Sequence, residues 1–577
     1  MSYKPIVSVR VISALLRKGI LCVCCYGLLS LCGPQTVLAS FTDSLTIGSA
    51  KALSLGHAVT ADPPNIDSIH FNPAGLTRLK GRQMHLKAVV GIFSTTYELG
   101  DYGTYQMGLI EEYSGPWQDE NGNLTAEGKA YFYDEALNSK SEVEGPTVML
   151  PGGMVDLPFA GGVMGGASYS PPGRPFTFAT SVYAPMMNGV HRDDDDPGRF
   201  FQQRGAFTLL TYFSPSIAYE VSDSLQIGLS VNFNYSGMGI DLPAREPHLG
   251  IFFYGSPFIR DTFCNEDGTA KSPDLELCGI VKPYEVYTDL RFEVDQPLTL
   301  GFNMGLLWSP QPWITLGLSY NSSIKADMEG DYDFPIRPDF KKVLLDFMNG
   351  SVWPGVVAAA GAYGYDLPTA EETANQGSGK MEVSYEIPQH WNAGISLQIT
   401  PKWKYNLDVR WTEWSTFSSL EFQFDKDIPL LELGAIGDDI GTGGRNGIGS
   451  DSVQYQLGLQ DVTYWGMGTE YQFSDRLALR AGYENRPSAV PKDKPNAFIP
   501  INDGDLFSVG FGYGLEDENN IDVAIGYMIS ETHYPPCSAL LGNGCDPAEI
   551  VFGPYQGQDI KSKVEFWLFE LTYSRHF

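Results

Sequence analysis

Few residues in this 577-residue chain have the types and spacing that could do chemistry, and none completes a catalytic set. "GSGK" at 377–380 has the ending of a phosphate-cradling loop. It lacks the first glycine, because Ala374 stands there, and Met381 replaces the Ser or Thr that would hold a metal. "GFGYG" at 510–514 reads as a strand with small residues on one side, not as a dinucleotide turn. There is no HExxH and no GxSxG, so a zinc peptidase or a serine esterase has no anchor. The run Asp193, Asp194, Asp195, Asp196 could hold divalent cations that bridge lipopolysaccharide, but a solvated charge run is the simpler reading. The expectation is a protein that is not an enzyme, with no metal site and no cofactor.

The cysteines divide by position. Cys22, Cys24, Cys25 and Cys32 lie in the first 39 residues, which also carry Lys4, Arg10, Arg17 and Lys18 and no acidic residue. Residues 20–31 form an apolar stretch, and Val37-Leu38-Ala39 offers a cleavage site, so residues 1–39 read as a secretory signal peptide. Four cysteines remain in the exported chain, as the pairs Cys264 with Cys278 and Cys537 with Cys545. Both could be loop disulfides in an oxidising compartment. Neither has the CxxC spacing or the clustered His of a metal site.

The elements that must position any site are strands. Past residue 39 there is no run of 18 apolar residues, so no helical span is expected. In "SLQIGLSVNFNYSGMGI" (224–240), Leu225, Ile227, Leu229, Val231, Phe233 and Tyr235 share one face and polar or small residues share the other. The same alternation recurs at 298–308, 314–320, 405–411, 505–513 and 522–527. Short connections ("VSDS", "SPQPW", "TPKW", "FSDR", "EDENN") alternate with long ones. That asymmetry is the signature of a transmembrane β-barrel, one of two ways to cross hydrocarbon with all backbone polar groups paired. The end of the chain agrees: Trp567, Phe569, Leu571, Tyr573 and Phe577 fall on one face, interrupted by Arg575, whose long side chain can snorkel. Counting stretches gives an all-β, antiparallel barrel of about fourteen strands, the second being the least defined, somewhere within 146–171. A formal net charge of −31 argues against a nucleic-acid partner.

Residues 40–81 differ again. Gly48, Ser49, Ala50, Ala52, Gly56, Ala58 and Ala61 are small enough to pack closely on a wall. A solvated tail would be more polar. The segment is expected to be an N-terminal hatch, or plug, inside the lumen, with the barrel over 82–577. Pro73 would fix a turn at Asn72-Pro73-Ala74.

The chain resembles the FadL/TodX family of outer-membrane transporters for long-chain fatty acids and other hydrophobic compounds. The resemblance rests on "FNPAGL" (71–76), "VYAPMMNG" followed by "PGRF" (197–200), "PSIAYEVSDSLQIGLSVNFNY" (215–235), "GFNMGLLWSPQPWITLGLSYNSSIKADMEG" (301–330), "DVRWTEWSTFSSL" (408–420), "LRAGYENRPSAVP" (479–491) and "GPYQ…WLF" (553–569). It implies a 14-stranded barrel with a hatch whose gating motif is Asn72, Pro73 and Ala74. It also implies a kink in the third strand that opens the wall sideways, which Pro185 would supply because it lacks a ladder N–H. Family members have a capture groove between loops. Here two oddly apolar loops suit it: Ile251, Phe252, Phe253 and Phe258 in one, and Leu344, Phe347, Met348 and Trp353 in the other. A carboxylate head would need a cation; Arg245, after the fifth strand, and Lys426, after the ninth, are candidates.

The expected partners are a long-chain fatty acid or other hydrophobic small molecule, outer-membrane lipid or lipopolysaccharide, and the barrel assembly machinery, for a monomer in the bacterial outer membrane. Passive, hatch-gated uptake is the leading reading. A hydrocarbon channel of the same family, a general porin and a surface adhesin are the alternatives.

Overall fold

The computed structural model describes residues 44–245, 265, 284–350, 353–375, 377–417, 419–442, 449–499, 502–539, 541–545 and 553–577. Fourteen antiparallel strands close on themselves. They are β1 (Gly81–Tyr102), β2 (Ala160–Ser170), β3 (Phe176–His191), β4 (Arg204–Phe213 and Ser216–Ser222), β5 (Leu225–Arg245), β6 (Val286–Gln311) and β7 (Ile314–Asn321 and Ile324–Asp333). Then come β8 (Ser378–Ile387 and His390–Thr400), β9 (Trp403–Thr412 and Ser419–Phe424), β10 (Ser452–Gln456 and Val462–Gln472), β11 (Leu477–Arg486), β12 (Gly504–Gly514), β13 (Asn520–Tyr534) and β14 (Gln558–His576). Closure runs from Gln83↔His576 to Tyr102↔Gln558, so β14 returns to β1.

The wall forms because its sequence alternates. On β6, Leu298, Leu300, Phe302, Met304, Leu306 and Trp308 all point outward and are exposed, while Thr299, Asn303 and Leu307 between them are buried. Ten residues of strand span about 34 Å, or about 25 Å along the barrel axis at a usual tilt, which matches the hydrocarbon thickness. Exposed Trp313, Trp403, Tyr471 and Phe473 gather at the short turns, as an aromatic girdle at the membrane interface would.

Tyr235 departs from this pattern. Its spacing places it on the outward face of β5, yet it is buried. A hairpin of two short strands (Gly145–Leu150 and Gly153–Asp156) lies over that face. A Cβ at Gly237 would sit 2.8 Å from Met149, and one at Gly239 would sit 2.8 Å from Met154. A covered outward face looks, in sequence, like one facing lipid.

Two bodies of side chains fill the interior. The lower one is built on residues 44–80, with Ile47, Leu55, Val59, Ile66, Ile69, Phe71 and Leu76 buried. The upper one joins the tops of the strands to helices Pro338–Asn349, Trp353–Ala362, Ala370–Ala374 and Pro429–Thr442 in a large apolar lid. A capping box at Thr369 and Glu372 starts the short third helix.

Candidate functional site

The Asn-Pro-Ala turn is fully buried inside the barrel. Pro73 begins a short 3-10 helix, Pro73–Arg78, and Asn72 caps it, its Oδ1 accepting from Ala74 N at 3.2 Å. The same side chain ties the turn to its surroundings. Asn72 Nδ2 donates to Thr60 O at 2.8 Å and to the wall carbonyl of Leu306 at 3.1 Å. The wall makes room by having no side chains there. A Cβ at Gly228 would lie 2.2 Å from the Pro73 carbonyl carbon, and one at Gly305 would lie 2.0 Å from Asn72 Oδ1. Both contacts are far inside van der Waals range, so these positions require glycine.

Inward polar residues of the strands hold the rest of the segment. Asn303 Nδ2 donates to Ile69 O (2.9 Å), Asn406 Nδ2 to Ala58 O (2.9 Å), and Thr60 N to Asp408 Oδ2 (2.6 Å). Lys87, with no exposed surface, pairs with Asp67 at 2.6 Å. His57 meets Glu484 at 2.7 Å. Near the short-turn end, Asp62 is surrounded by Lys51 (3.0 Å), Arg78 (2.9 Å) and Lys404 (3.0 Å). Burial alone would raise the Asp62 carboxyl, but Lys51, Lys404 and Arg78 more than offset it and hold the group well below the usual carboxylate range.

The wall has a structural break at β3. β2 pairs with β3 only from Gly165↔Val182 to Tyr169↔Phe178. Higher up, β3 is joined instead by Gly145↔His191 and Pro146↔Val190. On that side, residues 183–189 have no ladder partner between these two patches. On the other side, the register with β4 slips between Tyr183 and Met186. Pro185 sits in the middle and cannot donate. Two contacts from the inner segment cover the break: Ser44 N to Pro185 O at 3.2 Å, and Thr46 Oγ1 to Ala184 O at 2.7 Å.

Above the inner segment and beside this break is a cavity of about 40 Å³. Tyr183, Pro185 and Met186 line one side, His70 the floor, and Asn232, Asn321 and Trp414 other parts. It holds about three waters.

The other candidate residues lie elsewhere. Leu344, Phe347, Met348 and Trp353 are buried in the lid, with Phe347 and Trp353 ring centroids 5.5 Å apart. They belong to the packed core of the lid. Ile251, Phe252, Phe253 and Phe258, and the pair Cys264 and Cys278, lie outside the described residues. Arg245 is not free to meet a ligand carboxylate. It is 3% exposed, its Nη1 donates to Asp134 Oδ1 at 3.0 Å, and its guanidinium lies 3.7 Å from the Phe200 ring centroid. Lys426 is exposed and donates to Ser378 O at 2.8 Å. Ser378 to Lys380 belong to β8, not to a phosphate loop. Cys537 and Cys545 are joined by a disulfide in the connection before β14. Asp196 accepts from Ser141 Oγ (2.6 Å) and Gly198 N (2.7 Å) and so folds its own loop. Among the described residues no cluster of His, Cys, Asp and Glu could hold a metal.

The sequence reading missed the seats of the turn, Gly228 and Gly305, and the inward asparagines. The signal was present, since glycine and asparagine recur on the non-lipid face of β5 and β6.

Comparison with known proteins gives a consistent picture. The sequence profile of a family described as outer membrane protein transport protein (OMPP1/FadL/TodX) matches residues 38–577. Among curated proteins, a long-chain fatty acid transport protein of Escherichia coli strain K12 is 23% identical over 360 residues, 62% of this chain and 65% of that protein. One from Escherichia coli O6:H1 is 26% identical over 228 residues, 40% of this chain and 42% of that one. The chain thus spans roughly two fifths to two thirds of the length of these relatives. Among solved structures, a Pseudomonas aeruginosa FadL homologue superposes with a TM-score of 0.60 at 16% identity, covering 92% of this chain and 98% of that one. The Pseudomonas putida toluene transporter TodX does so at 0.53 and 14%, covering 91% and 97%. At these identities the two structures speak for the fold alone.

Proposed function

We propose that this chain, which belongs to the outer membrane protein transport protein family (OMPP1/FadL/TodX), carries long-chain fatty acids or other hydrophobic small molecules inward across the outer membrane. It does so passively and releases them sideways through the wall at Pro185. The single observation behind this reading is the stretch of β3 at 183–189 that has no ladder partner on its β2 side, covered from inside by residues 44–46 and lining a cavity.

The energetics suit such a path. Each buried methylene contributes roughly 0.8 kcal/mol relative to water, so an apolar lid takes up a long chain readily. Moving that chain from an apolar interior into bilayer hydrocarbon costs little, so no nucleotide or cofactor is needed and no bond is made or broken. The inner segment (residues 40–81) acts as the hatch. Its many ties to the wall make wholesale expulsion expensive, since each hydrogen bond contributes about 1 kcal/mol. Opening is therefore local: residues 44–46 release Ala184 and Pro185 while Asn72, Pro73 and Ala74 stay seated. The protein works as a monomer among outer-membrane lipids and lipopolysaccharide and reaches that membrane through the barrel assembly machinery.

Uptake of radiolabelled oleate by cells that lack other carriers is the test. Expression of this chain is expected to restore uptake, and reconstitution in a planar bilayer is expected to give no large steady current. A large, stable ionic current without oleate uptake would favour a general porin instead. The filled lumen argues against that outcome.

A further inference from the structure

The cavity beside Pro185 has a lining chemistry that narrows the cargo. Its lining residues include no Lys, Arg, Asp or Glu. Most of its polar groups are already engaged: Tyr183 OH donates to Asn232 Oδ1 (3.2 Å), Thr211 Oγ1 to Asn234 Oδ1 (2.7 Å), and Phe302 N to Ser322 Oγ (2.9 Å). Of the rest, the Trp414 Nε1–H and the Asn321 Oδ1 have no hydrogen-bond partner among the described residues, and the imidazoles of His70 and His390 also line the cavity. Trp414 and Asn321 are deeply buried, at 1% and 5% exposure. Asn321 cannot turn away to satisfy itself, because its Nδ2 donates to His70 O at 3.2 Å. Beside the imidazoles of His70 and His390, the lining thus holds one indole donor and one amide acceptor without a partner, in a space that fits a head group and not a chain.

We propose that this cavity is a waypoint for an uncharged hydroxyl head group on a hydrophobic cargo, such as a long-chain alcohol or a hydroxylated hydrocarbon. A hydroxyl accepts from Trp414 Nε1–H and donates to Asn321 Oδ1, reproducing both bonds that a water would make there. An alkyl end reproduces neither. A carboxylate can accept but not donate, and it would bring its charge into a lining without Lys or Arg. Arg245 and Lys426 do not line the cavity. The inference rests on the transport reading above and specifies its substrate class.

The test uses the full-length protein in detergent and retention of radiolabelled 1-tetradecanol. The unlabelled competitors are 1-tetradecanol, its methyl ether, tetradecane and tetradecanoate. In the wild type, tetradecanol is expected to compete about tenfold better than tetradecane or tetradecanoate, the scale of one to two buried hydrogen bonds. Asn321→Leu is expected to bring alcohol and ether level, because only the alcohol donates. Trp414→Phe is expected to lower both toward the alkane. Tetradecanoate competing better than tetradecanol, or an unchanged alcohol preference in the double variant, would overturn the assignment. Equal competition by all four in the wild type overturns the head-group inference and leaves hydrophobic capture standing. No retention of any ligand overturns both. Should a variant fail to give the heat-modifiable gel migration of an intact barrel, the wild-type ranking alone decides.

Discussion

Ser44 donates its backbone N–H to the carbonyl of Pro185 across 3.2 Å, docking the inner segment on the residue at which the wall's own ladder fails. Ser44 also reaches the cavity floor: its hydroxyl lies 3.1 Å from His70 Nε2 and accepts from Arg410 Nη1 at 3.0 Å. One residue thus contacts both Pro185 at the break and His70 at the cavity floor.

Locking that contact should stop passage. A short thiol crosslinker bridging Thr46→Cys and Ala184→Cys, the pair joined at 2.7 Å in the native chain, is expected to cut oleate uptake at least tenfold. A cleavable linker should restore it on reduction. Crosslinked protein that carries oleate at the uncrosslinked rate would show that the cargo leaves by another route.

Seating of the turn depends on Asn72. Asn72→Ala removes its bonds to Thr60 O and Leu306 O and the cap on the 3-10 helix. The local cost is expected to be about 1–3 kcal/mol. Amide hydrogen exchange over 68–80 should quicken accordingly while exchange in the strands stays put. Gly305→Val should do the same from the wall side, because its Cβ meets Asn72 Oδ1.

Acid should spare the lower seal until well below the usual carboxylate range. The folded value of Asp62 is depressed, so its stabilisation is complete above its unfolded value of about 4 and is lost only as the pH falls through the lower folded value. Lys51, one of its partners, is itself pulled below the ordinary lysine value by burial. Protease protection of residues 44–80 should persist at pH 4 in the native protein. Asp62→Asn should lower that protection already at neutral pH, because Lys51, Arg78 and Lys404 lose the carboxylate they share. Identical protection in the two proteins at pH 7 would count against the role given to this cluster.

Arg245 should behave as a strut of the lid and not as a selector of acids. Breaking a buried pair from one side costs roughly 3–5 kcal/mol, whereas apolar replacement of both partners is often near neutral. Arg245→Met is therefore expected to lower the unfolding midpoint and to slow uptake of oleate and of a hydrocarbon alike. Arg245→Met with Asp134→Leu should recover most of both. A loss confined to oleate would reinstate the carboxylate role.

The barrel was legible because its physics is local. Leu298 to Trp308 alternate every second residue, and nothing but a sheet with one greasy face explains that. Long-range partnerships were not legible. Arg245 looks like a free loop cation until Asp134, 111 residues away, is seen against it. Tyr235 reads as lipid-facing until the 145–156 hairpin is seen to cover it. Helical spacing at Leu344, Phe347 and Met348 announces an apolar stripe but not what it is pressed against, and the structure places it inside the lid. Pro185 could be marked as a defect in a strand. That its carbonyl is claimed by Ser44 depends on a fold that brings residues 44 and 185 together.

Gly228 and Gly305 carry a consequence for how such proteins diversify. Where the Asn72-Pro73-Ala74 turn meets the wall at these two glycines, the wall's side of the contact is main chain. A junction of that kind is indifferent to most side-chain changes elsewhere. Mutation can reshape the upper chamber for new molecules, one residue at a time, without springing a leak below.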